Sequence, residues 1–404
     1  MRKHFYVTLG LALLTAFQVQ AGGYQLQEFS VTSAGRAFGG AGIVGDDYSA
    51  IAFNPAGMTL KQTGVQFGAM GMDIHSGING RLSNDAPGDK GKLRNFKIIP
   101  HGFGQYAWKD WRLGLGIYAP FGLGTYYNKS WFGKTHALTS EITAIDIAPT
   151  LAWQATDWLS VGGSVIFERM EARLTNIVHG IDRMSDMNAD GWGHGWNAGV
   201  MVSPTKTTRF GVAYRSPVVQ RIKGKHHFAG MAEGISSTKL VDPEHIQFTA
   251  YQEVGQFGLS AMARWTRWSR FNILSIDSTA LGHVNPHLTP SQVNENWRNT
   301  WTISGGVDYH YCPHWTFRTG LAYDQGAVRD PVHRTARVPD SNRWIASIGA
   351  SYVMDNWQFD ASYFHMFWSK ARVNSRATTT GATTIEGTYK TQINSVGLAV
   401  QYNF

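Results

Sequence analysis

From Ser395 to Phe404 the chain alternates without a break: Val396, Leu398, Val400, Tyr402 and Phe404 fall on one face, Ser395, Gly397, Ala399, Gln401 and Asn403 on the other. A period of two is the signature of a β-strand with two unlike faces. It returns in Trp344, Ala346, Ile348, Ala350 and Tyr352 against Ser347, Gly349 and Ser351, and in Phe210, Val212 and Tyr214 against Gly211, Ala213 and Arg215. One face is large and apolar, the other small or polar. A soluble sandwich would turn the large face to a core. A membrane barrel turns it to lipid and the small face to the lumen. Local alternation does not separate the two.

Turn spacing does. Short turn signals stand at Lys109-Asp110, Thr156-Asp157, Pro204-Thr205-Lys206, Glu253 to Gln256, Cys312-Pro313-His314 and Asp355-Asn356. Between them lie longer polar stretches near 75–95, 121–142, 176–190, 222–244, 279–296, 325–341 and 371–388. Short turns on one side and long loops on the other is the asymmetry of outer-membrane barrels. Six short turns and two chain ends on one side give seven hairpins, hence 14 antiparallel strands. Closure removes the edge strands that so long a sheet could not protect. The terminal Phe404 on its alternating strand fits the same class.

The start of the chain sets the compartment. Arg2 and Lys3 precede an uncharged, mostly apolar run from Phe5 to Phe17, and Val19-Gln20-Ala21 is a small-residue cleavage site. Residues 1–21 therefore read as a secretory signal peptide, removed before folding. Past it, no apolar run is long enough for a spanning helix. Charged residues are 16% of the chain, below the ~25% of ordinary soluble proteins. The formal charge of +8 suggests nucleic acid only weakly, because the basic residues are scattered; the densest group is Arg221, Lys223 and Lys225. One cysteine, Cys312, excludes a disulfide framework and any multi-cysteine metal centre. No cofactor, metal or nucleic-acid partner is expected, and the chain is expected to act as a monomer among outer-membrane lipid and lipopolysaccharide.

Residues 22–62 do not alternate. They are rich in Gly and Ala and run through Asp46-Asp47 to Asn54-Pro55-Ala56-Gly57-Met58. Such a segment is too short for its own core. A barrel of this size encloses more space than side chains fill, so the expected place for it is the lumen. The expected organisation is a signal peptide at 1–21, a hatch at 22–62 and a transmembrane barrel at 63–404.

Gly22-Gly23-Tyr24-Gln25-Leu26-Gln27-Glu28-Phe29-Ser30, then Gly35-Arg36-Ala37, Asp46-Asp47 and Asn54-Pro55-Ala56, resemble the hatch of the FadL family of outer-membrane long-chain fatty acid transport proteins. The resemblance continues in Gly195-Trp196-Asn197-Ala198-Gly199, Val212-Ala213-Tyr214-Arg215-Ser216-Pro217, Trp265 to Phe271, Trp315 to Gly320, Val338-Pro339-Asp340 and Arg343. The motifs are individually weak, but they occur in order over nearly the whole mature chain. The resemblance implies a hatch-plugged, 14-stranded barrel. It also implies hydrophobic ligands that bind inside and leave sideways into the membrane at a kinked third strand. Lateral exit spares an acyl chain the periplasmic water, where each exposed CH₂ costs about 0.8 kcal/mol.

Candidate functional residues follow. Asn54, Pro55 and Ala56 match the hatch motif, where Pro fixes φ and Asn can bond its own backbone. On the third strand Gly114, Gly116, Tyr118 and Pro120 share one face and leave it nearly bare, which suits either a lateral gate or close packing of the hatch. A fatty acid carboxylate wants a cation in an apolar pocket. Arg169 and Arg173, with Glu171 on the same face of the fifth strand, are candidates for it, or form a ladder on the barrel wall. Counting from Trp268-Ser269-Arg270-Phe271, Ser275 stands where the family has a second basic residue, which keeps neutral aromatic hydrocarbons open as ligands. No G-x-S-x-G or H-E-x-x-H motif occurs, so no catalytic residues are assigned. The expected function is uptake of long-chain fatty acids; the alternatives are uptake of small hydrophobic compounds and, remotely, a barrel enzyme or a structural barrel.

Overall fold

The computed structural model describes residues 22–84, 87–178, 182–284, 286–376 and 383–404; the proposed signal peptide lies outside the described residues. The chain forms a closed, antiparallel, 14-stranded β-barrel. The strands are β1 (Gly64–Leu82), β2 (Gly91–Trp108), β3 (Trp111–Tyr126), β4 (Thr139–Thr156), β5 (Leu159–Val178) and β6 (Arg183–Val202). Then follow β7 (Thr208–Arg215 and Val218–Phe228), β8 (Ala232–Asp242 and His245–Val254), β9 (Phe257–Thr266 and Ile273–Ser278) and β10 (Ser291–Asn294 and Thr300–His310). The last four are β11 (Trp315–Asp324), β12 (Arg343–Met354), β13 (Trp357–Trp368 and Ala371–Arg376) and β14 (Thr384–Asn403). Pairing of β1 with β14, from Gly64↔Asn403 to Leu82↔Ile385, closes the barrel.

All six short turn signals fall at connections between strands. The long polar stretches are a different matter. Residues 222–228 and 232–242 are strand, joined by a tight turn, and so are 183–190. Polar sequence there marks strands that continue beyond the membrane, where the outward face no longer needs to be apolar.

The outward face carries Phe67, Leu113, Leu115, Ile117, Val165, Phe167, Phe210, Val212, Leu398 and their like, all exposed. Near the short turns it carries Trp108, Trp111, Trp153, Trp158, Trp315 and Trp357, with Trp111 and Trp153 stacked at 5.5 Å. That is the aromatic girdle of an outer-membrane barrel. Among the described residues no helix is long and apolar enough to cross a membrane; this chain crosses with strands.

Residues 22–62 lie within the lumen, and nearly every one from Gly22 to Thr59 is buried. Short helices α1 (Val31–Gly35), α2 (Ala50–Phe53) and a 3₁₀ turn (Pro55–Leu60) are joined by glycine-rich turns. Ser30 caps α1 through its hydroxyl, which accepts from the Ser33 amide at 3.1 Å. The hatch is bolted to the wall by charge. Arg36 reaches Asp46 at 2.6 Å and Asp308 of β10 at 3.1 Å, and Arg318 of β11 reaches the same two carboxylates at 3.0 and 3.3 Å. Two arginines thus face two aspartates in a nearly dry box, where each charge satisfies the other.

Candidate functional site

The barrel wall is irregular at one level. Ser216-Pro217 splits β7 and Pro243 splits β8, because proline has no N–H to give to a ladder. Residues 267–272 and 295–299 fold inward from β9 and β10. In β3 the partners of Tyr118 and Phe121 on β4 are Asp146 and Ala144, so Ala119 and Pro120 make a bulge with one extra residue. The extra residue reverses parity. Arg112, Gly114, Gly116 and Tyr118 face inward below it, and Phe121 and Leu123 face inward above it.

The bulge coincides with a break between β2 and β3. Their ladder runs from Trp108↔Trp111 only to Gly102↔Ile117, although both strands continue. Beyond Ile117, β3 pairs with β4 on one side and with the start of the hatch on the other. The Leu26 amide donates to the Pro120 carbonyl at 2.7 Å, and the Gly122 amide to the Tyr24 carbonyl at 2.8 Å. Farther up, Lys97 of β2 reaches the Tyr126 hydroxyl of β3 at 3.0 Å, and Tyr126 donates to Glu141 at 2.5 Å. The wall therefore has a seam between β2 and β3 that the hatch, and not β2, lines.

Inside this seam lies an apolar chamber. Tyr24 forms its floor, ringed by Phe121, Trp268, Phe271 and Trp297 at 4.9–5.9 Å between ring centroids. Leu123, Ile142, Ala172, Ile222, Leu240, Leu274 and Val338 complete it, and the free space is about 30 Å³. Only Glu295 and Arg337 bring charge to its lining. Glu295 accepts from the Trp297 indole at 3.0 Å. Arg337 donates to Ser140 at 3.1 Å and to Asn176 at 3.3 Å and, among the described residues, forms no ion pair, although the Glu295 charge acts on it. Above the chamber is a wetter cavity of about 110 Å³, whose lining includes His136, His226 and Arg376. Leu174, Met187 and Arg337 line both spaces, so Arg337 stands at the passage between them.

The residues singled out from sequence fall in different places. Asn54-Pro55-Ala56 packs on the wall at Gly162 and Gly199, a paired couple of β5 and β6 where any side chain would collide with the motif. Asn54 accepts from the Ala56 amide at 3.1 Å and donates to the Val200 carbonyl at 3.2 Å. Gly114 and Gly116 lie in the closed part of the β2–β3 ladder, and a Cβ on Gly116 would meet Ile51 of α2 at 2.8 Å. Pro120 lies in the bulge itself, bonded to the hatch.

Arg169 and Arg173 are not in the chamber. They share the outward parity of Val165 and Phe167, and they pair with Asp190 at 2.9 Å and Asp186 at 2.7 Å. This corrects the expectation that they face a ligand, and it favours the wall ladder. Ser275 lies between Leu274 and Ile276, which line the two cavities, and does not itself line either. The missed cation, Arg337, comes from the stretch between β11 and β12. One residue before Val338-Pro339-Asp340, it was within reach of the motif that fixes that stretch. Asp340 anchors it by accepting from the Gly23 amide at 3.2 Å and the Ala327 amide at 2.6 Å.

A closed outer-membrane barrel, filled by an N-terminal hatch and holding an apolar chamber, defines a transporter of hydrophobic compounds. The sequence matches, over residues 12–404, the family described as outer membrane protein transport protein (OMPP1/FadL/TodX), and the chain belongs to that family. It is 27% identical to the 47 kDa outer membrane protein of Pasteurella multocida, over 97% of this chain and 96% of the relative. It is 25% identical to the long-chain fatty acid transport protein of Escherichia coli K12, over 92% and 94%. In fold it is similar to a crystal structure of a Pseudomonas aeruginosa FadL homologue, with a TM-score of 0.86 at 23% identity, covering 95% of this chain and 100% of that one. The Pseudomonas putida toluene transporter TodX superposes with a TM-score of 0.70 at 16% identity, covering 95% and 100%. The protein is a FadL-type transporter of the outer membrane.

Proposed function

We propose that this chain takes up long-chain fatty acids, binding them in the chamber above Tyr24 and releasing them into the membrane through the seam between β2 and β3. The observation that carries the choice of ligand is Arg337, a cation on a mostly apolar lining that, among the described residues, pairs directly with no carboxylate, Glu295 being the other charged group there. A buried charge is stable when paired, and a fatty acid supplies the missing carboxylate together with a chain suited to the chamber. The relatives named as fatty acid transporters agree with this reading, while a neutral aromatic would leave Arg337 unpaired. At about 30 Å³ the chamber holds no acyl chain as it stands, so entry requires the rings around Tyr24 to move.

Movement at that point reaches the exit. The segment Tyr24–Leu26 is at once the chamber floor and the hydrogen-bonding partner of β3 at the bulge. A ligand that lifts the floor also strips β3 of its hatch hydrogen bonds and opens the seam. The test is uptake of radiolabelled oleate and toluene by cells that depend on this protein, with mass spectrometry of the hydrophobic molecules that co-purify with it. Oleate uptake and a co-purifying fatty acid are expected. Toluene uptake without oleate uptake would overturn the reading.

A further inference from the structure

The most basic stretch of the sequence, Arg221, Lys223 and Lys225, has no part in the chamber. These residues alternate with buried Gln220, Ile222 and His226, so their side chains stand on the outward face of β7. Lys239 of β8 is the direct cross-strand partner of Arg221. Two cations placed directly opposite one another repel, and in a sheet such a pair is destabilising. One step below, toward the membrane, Val219 and Val241 form the preceding outward pair. Two residues along a strand is a rise of ~7 Å. The cations therefore stand about one headgroup above the apolar belt, on the side of the long loops.

The carboxylates of the neighbouring wall are already engaged. Arg169 holds Asp190 at 2.9 Å and Glu171 at 3.5 Å, Arg173 holds Asp186 at 2.7 Å, and His227 holds Glu233 at 3.1 Å. Asp190 is also the direct cross-strand partner of Lys223, and Asp277, on the next strand across Ser237, is a further acidic group at this level. Among the described residues Arg221, Lys223, Lys225 and Lys239 form no ion pair. Together with Arg169 and Arg173, six outward Lys and Arg side chains face five carboxylates, Glu171, Asp186, Asp190, Glu233 and Asp277, and the small positive excess is concentrated at the Arg221–Lys239 pair, facing the outer leaflet.

The geometry points to an anionic lipid site here: the Arg221–Lys239 pair, flanked by Lys223 and Lys225, binds a phosphate group of an outer-leaflet glycolipid whose acyl chains lie on Val219, Val241 and the apolar wall below. A phosphate between the two cations turns their repulsion into two charge-assisted contacts. Acyl chains on the belt confine that phosphate to the height at which the cations stand. This site faces away from the lumen, so it is independent of the ligand path.

The test uses the full-length protein in detergent and measures retention of bisphosphorylated lipid A, of its dephosphorylated form and of inorganic phosphate by native mass spectrometry. Bisphosphorylated lipid A is expected to bind, and the double variant Arg221→Gln/Lys239→Gln to bind it about tenfold or more weakly, a loss of ~1.4 kcal/mol per decade. Lys206→Gln, in a short turn on the opposite side, serves as the control with unchanged binding. Retention should fall with added salt. Equal retention of the dephosphorylated lipid, or equal retention by the double variant, would overturn the site, as would competition by inorganic phosphate at matched concentration. Oleate uptake by the double variant remains at the wild-type level, which also establishes that the barrel is folded.

Discussion

The backbone amide of Leu26 donates to the carbonyl of Pro120 at 2.7 Å, so the first residues of the hatch are hydrogen-bonded to the one bulge of the third strand. Movement of the plug at this point therefore breaks hydrogen bonds that complete the wall. The extra residue at Ala119-Pro120 gives β3 a free edge, and Tyr24, Gln25 and Leu26 occupy it in place of β2.

Deleting Pro120 removes the extra residue and restores the register of β3. The ladder with β2 then extends above Gly102↔Ile117 and closes the seam. Oleate uptake should fall roughly tenfold or more, a barrier increase of ~1.4 kcal/mol per decade, with normal amounts of protein in the membrane and oleate binding retained. Unchanged uptake would place the exit elsewhere.

Gly116 tests the hatch contact of β3 separately from the seam. A leucine there must displace Ile51 of α2, which a Cβ alone would meet at 2.8 Å. Overpacking of this kind costs about 1–3 kcal/mol. Gly116→Leu should loosen the hatch, lowering the thermal midpoint and raising single-channel conductance in a planar bilayer. A tight, non-conducting barrel of normal stability would show that α2 yields without leaving the wall.

The arginine–aspartate box predicts how the hatch responds to acid. Burial alone would raise the Asp46 carboxyl, but Arg36 and Arg318 outweigh it and hold the group well below the usual carboxylate range. A lowered value means that its contribution is full above the ordinary aspartate pKa of about 4 and is lost only as pH falls below that. Acidification from pH 7 to pH 5 should therefore leave conductance low and the hatch docked. Arg36→Met leaves Asp308 buried with one partner fewer, and breaking such a network costs roughly 3–5 kcal/mol. That variant should conduct at neutral pH; one as silent as the wild type would show that the hatch is held by packing and not by this box.

What the sequence made legible follows the same physics. Alternation in Val396 to Phe404 and the six short turns fixed the strand count, because lipid imposes one strict rule on every outward residue. Val165 and Phe167 carried the information that Arg169 and Arg173 face outward, since all four share one parity. A one-residue error in assigning that parity to the lumen reverses a whole strand. The bulge at Ala119-Pro120 reverses parity locally, and no period in the sequence announces it. Arg337 was hidden for another reason. It lies in a connecting stretch with no periodicity, and its position depends on contacts such as Gly23 with Asp340, which join residues far apart in the chain.

Arg337 carries the last prediction. Burial pushes its guanidinium down to about 10, with Glu295 opposing the shift, so it stays charged at neutral pH. A fatty acid carboxyl ionises near the ordinary value for such groups, about 4–5. Oleate binding should thus be strong at pH 7 and weaken as pH falls through the ligand's own ionisation, while binding of a neutral aromatic stays flat. Arg337→Gln keeps a donor for Ser140 or Asn176 but removes the charge. A hydrogen bond to a charged group contributes about 1.5–3 kcal/mol, so oleate affinity should fall roughly tenfold to hundredfold, and the pH dependence should vanish with it. The neutral ligand should lose little. Arg169→Ala and Arg173→Ala, on the outward wall, should leave both ligands unaffected. Competition binding of oleate and toluene across pH 4 to 8 measures all of this at once. Parallel pH profiles for the two ligands, or an equal loss for both in Arg337→Gln, would remove the carboxylate from the chamber and return the protein to the uptake of neutral compounds.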